Sequence, residues 1–364
     1  MPLLKTRGVR CSAPKPRIRE STTPLAIRDQ ESLPSAMQFG DTLIEHALGA
    51  VLAHSVHLDG ARIPKGRVLT EADIEQIRAA GLTSIVAARL AENDVPENTA
   101  AARIGQALQC DSLDIAEPST GRVNIFAKFD GLCVIDAKRI HQINAAHESM
   151  TIATMPPYDP VSAGQLIATV KIIPFAVPLP QLTSVLSIIA GTQLPLSVYS
   201  FQTNKVGVVF SELPTVPFKA KEKAIRVLED RLVQVGGKID AMLVCQHEAA
   251  AVAAAIKSHL THGCDLILLF GASAIVDRGD VIPAGIVRAG GEVTYFGMPV
   301  EPGNMLLLGR VGEVSAIGLP GCARSPKFNG FDWVLQRLFA GLLVDGKDIA
   351  GMGVGGLLKD MQRR

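Results

Sequence analysis

Aromatic side chains are scarce in this chain, at 4% of 364 residues with a single tryptophan. That leaves too few rings for a stacking platform of the kind that holds single-stranded nucleic acid. A net charge of +1 gives no bulk attraction to nucleic acid or to an anionic membrane. Long apolar runs are missing too: Ala249 to Ile256, among the longest, falls well short of the roughly 20 residues a spanning helix needs. The cysteines (Cys11, Cys110, Cys133, Cys245, Cys264 and Cys322) form no C-x-x-C pair and no disulfide-like framework, which fits buried thiols in a reducing compartment. There is no G-x-S-x-G elbow, and His54, His57, His141 and His147 have no metal-ligand spacing. What is present, 48% apolar residues, suffices for two or more cores. The expectation is a soluble cytoplasmic α/β protein that engages neither nucleic acid nor membrane.

Residues 1–36 carry seven Lys/Arg against three acids, with several prolines and no apolar periodicity. A basic, acid-poor start can mimic a transit peptide. The composition reads as a disordered tail or an over-long start, with Met37 as the alternative first residue. Residues 37–200 read as a mixed α+β region. A helix is expected over Asp41 to Gly49 and a strand over Val51 to Leu58. Thr70-Glu-Ala-Asp73 is a capping box that opens a helix ended by Gly81. Short β segments punctuated by Gly121, Gly131 and Gly164 follow. From Lys205 strands and helices alternate, which predicts βαβ units around a mainly parallel sheet over residues 201–345. Residues 346–364 are expected to be a flexible tail.

Within that second region each apolar strand ends in a loop carrying Gly with Ser, Asp, Arg or Lys. The stretch Asp265 to Asn329 is the most informative, because ligands of open α/β sheets bind beyond the carboxyl ends of the strands. Gly318, Pro320 and Gly321 form a tight turn ahead of a helix, where exposed N–H groups favour an anion. Arg324 can fork onto a phosphate and Lys327 can add a point charge. Asp280 precedes an apolar run and can simply cap the helix, whereas Asp277 sits mid-loop without that reason. Together with Ser273 they can hold Mg²⁺ beside a phosphate or accept from an amino-amide heterocycle. His247, at a strand end before a helix, is equally balanced between the crevice and a structural role.

Two phosphate-loop spacings fail. Gly341-Leu-Leu-Val-Asp-Gly346-Lys347 has Asp348 where a Ser or Thr must hold magnesium, and it follows a helix. Gly351-Met-Gly353-Val-Gly-Gly356 has no room for a βαβ unit behind it.

Three motifs in order and at matching spacing resemble the molybdopterin-binding domain shared by the MogA/MoaB and MoeA (gephyrin-like) proteins. They are Gly271-Ala-Ser273 with Asp277 or Asp280, then Pro302-Gly303, then Leu319-Pro320-Gly321-Cys-Ala-Arg324-Ser325. The chain departs from the pattern at Phe270 for a glycine, Glu301 and Asn304 for lysines, and Cys322-Ala323 for Asn-Pro. His247 stands where an acid is usual, and Ser211-Glu212 is what remains of a Thr-Gly-x-Glu. The resemblance implies a three-layer α/β/α domain that binds molybdopterin through Gly271, Ser273, Pro302, Gly303, Gly318, Pro320, Gly321, Arg324, Ser325 and Lys327. It further implies a molybdenum transferase of molybdenum cofactor synthesis, with Asp277 and Asp280 as catalytic carboxylates holding Mg²⁺ or molybdate. Its partners would be a pterin phosphate, other enzymes of that synthesis and a second copy of itself. The alternative is a non-catalytic module that presents the cofactor to a partner such as a nucleotidyltransferase.

Overall fold

The computed structural model describes residues 37–358 except Asp59 and residues 214–217; the basic segment 1–36 lies outside the described residues. Two separate cores precede residue 200. In the first, Leu52, Ile63, Leu69, Ile77 and Ile85 pack together under a three-stranded antiparallel sheet. Ser84–Arg89 is its centre, flanked by Gln38–Leu43 and Val51–Leu52. The helix expected over Asp41 to Gly49 is therefore a strand as far as Leu43, followed by one 3₁₀ turn, Ile44–His46. Residue-by-residue pairing of Gln38–Leu43 with Ser84–Arg89 overrides the local helical pattern. The expected helix at Glu71–Ala79 forms, and its capping box is complete: Thr70 Oγ1 accepts from Asp73 N while Asp73 Oδ2 accepts from Thr70 N.

The second core lies between Ala100 and Val198. Antiparallel strands make it, among them Arg122–Ala127, Leu166–Ile172 and Gly131–Ile135, with the helices Glu97–Ala107, Ala137–Ala146 and Leu179–Ile189 packed over them.

The last region is one six-stranded sheet. In chain order its elements are β1 (Lys205–Glu212), α1 (Phe218–Gln234), β2 (Lys238–Gln246), α2 (Ala249–Thr261) and β3 (Leu266–Phe270). Then come α3 (Val281–Arg288), β4 (Glu292–Phe296), β5 (Leu307–Val311), β6 (Val314–Gly318), α4 (Gly330–Phe339) and a short α5 (Gly346–Gly351). Strand order is β2-β1-β3-β6-β5-β4. The first four run parallel, whereas β6-β5 and β5-β4 are antiparallel pairs. The sheet is thus mixed, because neither the 297–306 loop between β4 and β5 nor the 312–313 turn between β5 and β6 holds a crossover helix to make those strands parallel.

All five residues of β3 are buried, as a strand covered on both faces requires. One face packs on α2 and α3 through Val252, Ile256, Ile282 and Ile286. The other packs on α1 and α4 through Leu228, Leu232, Phe331 and Leu335. β2, at the edge, alternates exposed and half-buried. Residues 346–352, in the stretch expected from its sequence to be a tail, form α5 with its C-cap and bury Ile349 and Met352 in that second face, while residues 359–364 lie outside the described residues. Among the described residues no helix is long and apolar enough to cross a membrane.

Candidate functional site: the carboxyl edge of the sheet

Strand directions bring the loops after β1, β2, β3, β4 and β6 to one edge of the sheet. Strand order reverses at β1, so the crevice beside β1 and β3 is a topological switch point. Its floor is aromatic: Phe210 at the end of β1 and Phe270 at the end of β3 stack at 4.6 Å, their planes 8° apart.

The β3–α3 loop begins at Gly271, where a Cβ would stand 2.8 Å from Ser273 O, so only glycine fits without a shift. Ser273 and Asp277 are exposed. Asp277 Oδ1 accepts from Gly279 N at 2.7 Å, which gives this carboxylate a local turn-forming role that the sequence did not suggest. Asp280 is the N-cap of α3, with Oδ1 accepting from Val281 N at 2.7 Å and Oδ2 accepting from Val276 N at 3.3 Å. Among the described residues no group of three or more His, Cys, Asp or Glu comes together to hold a metal ion. Both Asp280 oxygens and one Asp277 oxygen thus already accept from their own loop.

The β6–α4 loop lies beside the first. Leu319 N donates to Leu269 O, and Gly318 is packed so tightly that a Cβ would meet Ile275 at 2.7 Å. Pro320 leads into a 3₁₀ turn, Gly321–Arg324. Gly321 differs from the other two glycines: its would-be Cβ meets nothing within 4 Å, and its φ lies outside the left-handed region. Neither packing nor backbone geometry requires glycine there. Arg324 reaches across to the first loop, donating from Nη2 to Gly271 O, and its guanidinium lies 5.8 Å over the Phe270 ring. Partial burial there pulls its pKa below the usual arginine value, yet it stays a cation. Lys327 is exposed and Ser325 half-buried on the same turn.

This loop is held from behind by a residue that the sequence did not single out. Arg231 of α1, 5% exposed, donates Nε to Asp332 Oδ1 at 2.7 Å. Its Nη1 donates to Ala323 O at 2.9 Å and its Nη2 to Ser325 O and Lys327 O at 2.7 and 2.9 Å. Asn329, fully buried, caps α4 in a reciprocal box with Asp332. An arginine on an amphipathic helix ordinarily reads as solvated, and its partners lie about a hundred residues away, so nothing local marks it. Asp332 is buried enough to push its carboxyl above the usual range despite the nearby Arg231.

Pro302 and Gly303 serve the same scaffold. Pro302 O accepts from Gly330 N at 2.9 Å, and a Cβ on Gly303 (φ +137°) would lie 2.7 Å from that nitrogen. At the far side of the crevice Ser211 Oγ and His247 Nδ1 are 2.9 Å apart, and the Ser211 hydroxyl also lies 3.2 Å from Phe270 O. His247 is therefore drawn to the end of β1, beside a Glu212–Lys221 ion pair of 2.7 Å. Burial raises the Cys245 and Cys322 thiols, so neither is poised as a thiolate.

The family described as Domain of unknown function (DUF8806) matches residues 42–89, the span of the first small core. No curated protein matches the chain. Among solved structures it is similar to the molybdopterin biosynthesis MoeA protein from Pyrococcus horikosii, at 13% identity and a TM-score of 0.28, covering 85% of this chain and 75% of that one. At that TM-score the likeness decides nothing about fold or function, which leaves the residues of the crevice themselves as the guide to its ligand.

Proposed function

We propose that the carboxyl-edge crevice binds molybdopterin, its phosphate seated on the Gly318 to Lys327 turn, and that the chain serves in molybdenum cofactor biosynthesis. The carrying observation is Gly321, a glycine with no internal reason to be one, at the start of a turn that also presents Arg324 and Lys327. A bare backbone lets an anion approach the N–H groups closely, and two cations beside it add charge-assisted contacts. Gly271 and Ser273 would line the pterin side, and Pro302, Gly303 and Gly318, which pack the loops closely, would shape the seat around the ligand.

The fuller reading is a transferase that promotes molybdenum insertion, with Asp277 positioning the reacting groups. A second reading, a module that binds the cofactor and hands it to a partner enzyme, is favoured by the local commitments of Asp277 and Asp280. Equilibrium titration with molybdopterin tests the binding that both readings share; absence of saturable binding would end both. Molybdate-dependent release of AMP from adenylylated molybdopterin then separates them, since only the transferase produces it.

A further inference from the structure

Away from the crevice, a cleft of about 490 Å³ separates the 156–159 turn from helices α4 and α5. It is the right size for a mononucleotide-sized ligand, and it sits where two cores meet, a common place for such sites. Both rejected phosphate-loop spacings end up on its wall: Lys347 opens α5 and Gly351 to Gly355 follow it.

The wall is built around two rings. Tyr158 holds φ at +64°, a conformation that suits glycine, and the Arg337 guanidinium stacks 4.0 Å from its ring centre. Arg337 Nη1 also donates to Trp333 O at 2.9 Å, so the arginine is already engaged as a strut between the two walls. Asp348 is engaged likewise, accepting from Asp345 N in the cap of α5. Two charges on this cleft are not so committed. Among the described residues the Asp159 carboxyl has no hydrogen bond or ion pair, although burial alone raises its pKa. The Lys347 ammonium, near Asp345, makes no ion pair within 4 Å among the described residues. A half-buried carboxylate without donors invites a ligand that brings them.

A carboxylate has two acceptor oxygens and no donor. Its best planar partner offers two adjacent N–H groups, as the amino-amide edge of guanine or of a 2-amino-4-oxopteridine does. Adenine instead places a ring acceptor beside its amino group. Trp333 and Met352 give such a ring an apolar wall, and Lys347 stands ready for a phosphate. We propose that this cleft is a second binding site, for a phosphorylated amino-amide heterocycle whose N–H edge meets Asp159 and whose phosphate meets Lys347. The site is independent of the crevice and of what the crevice binds.

Trp333 is the chain's one tryptophan and lines the cleft, so its emission reports occupancy directly. The full chain is titrated with GMP, guanosine and AMP by Trp333 fluorescence, and with 2-amino-4-oxopteridine by calorimetry. GMP should change the emission saturably, with AMP at least about tenfold weaker because one carboxylate oxygen would face a ring acceptor. Asp159→Asn, isosteric, should weaken GMP and the pteridine alike by about tenfold or more while the melting curve holds. Lys347→Ala, on an exposed residue, should bring GMP down to the guanosine level and leave guanosine unchanged. Arg324→Ala should leave GMP binding intact, whatever it does at the crevice. Whichever of guanosine and the pteridine binds tighter identifies the ring. No saturable emission change, equal affinities for GMP and AMP, or indifference to both Asp159→Asn and Lys347→Ala would overturn the assignment.

Discussion

Arg231→Met removes the side chain that ties helix α1 to the loop bearing Arg324 and Lys327. Methionine keeps the length and apolar stem but leaves Ala323 O and Ser325 O without the side-chain donor they now have, Lys327 O with only Asn329 Nδ2, and Asp332 without its counter-charge. Breaking a buried ion pair from one side costs about 3–5 kcal/mol. Asp332 Oδ2 still accepts from Asn329 N at 2.7 Å, so the lower end, about 3 kcal/mol, is expected. Against a typical stability of about 5–15 kcal/mol the domain should still fold, with a midpoint roughly 6–12 °C lower for a domain of this size. Trp333, next to Asp332 in the chain, is the reporter for the melt. Burial already raises the Asp332 carboxyl, and without Arg231 its charged form is less favourable still. Lowering the pH protonates it, so the stability gap to wild type should narrow as pH falls. Arg231→Met with Asp332→Asn should recover part of the loss, because no buried charge is then stranded. A shift under about 1 kcal/mol for the single variant, or a double variant no better than it, would refute the clamp.

Gly321→Ala should hold or raise stability by about 0.4–1 kcal/mol, since the added methyl meets open space, yet weaken molybdopterin binding in an equilibrium titration. Asp277→Asn should lower cofactor binding or turnover more than Asp280→Asn, with stabilities from melting within about 0.5 kcal/mol of wild type; the reverse ordering would make Asp280 the functional acid. Hydrogen bonding from Arg67 holds the Asp73 carboxyl down at about 2. A lowered carboxylate stabilises the fold above its ordinary range, and that contribution is lost as pH falls from about 4 to about 2. The melting difference between wild type and Asp73→Asn should therefore be present at pH 5 and vanish near pH 2.

Much of the second half was legible because its signals are local. An unbroken apolar run marks β3, alternation marks the βαβ units, and Asp280 ahead of Val281 marks a cap that the geometry bears out. The strand at Gln38–Leu43 was hidden because its pairing partner lies more than forty residues on, and tertiary pairing outweighs helical spacing. Arg231 was illegible for the same reason, its four acceptors all arriving from another part of the chain. Helix α5 was a missed signal of a different sort. Asp345 and Asp348 are spaced as a capping box, a helix-start signal opposed in the sequence by the glycines that come after them. Ser211 and His247 meet only because β1 and β2 are neighbours, a fact of strand order that one sequence does not display.

The phosphate seat is the central claim, and one titration bears on it most directly. Wild type and Arg324→Ala are each titrated with molybdopterin and with its dephosphorylated form. Loss of a charge-assisted contact of about 1.5–3 kcal/mol should weaken the phosphorylated ligand roughly tenfold to a hundredfold and leave the dephospho form nearly unchanged. Equal losses for both ligands, or none for either, would remove Arg324 from the site and contradict the account.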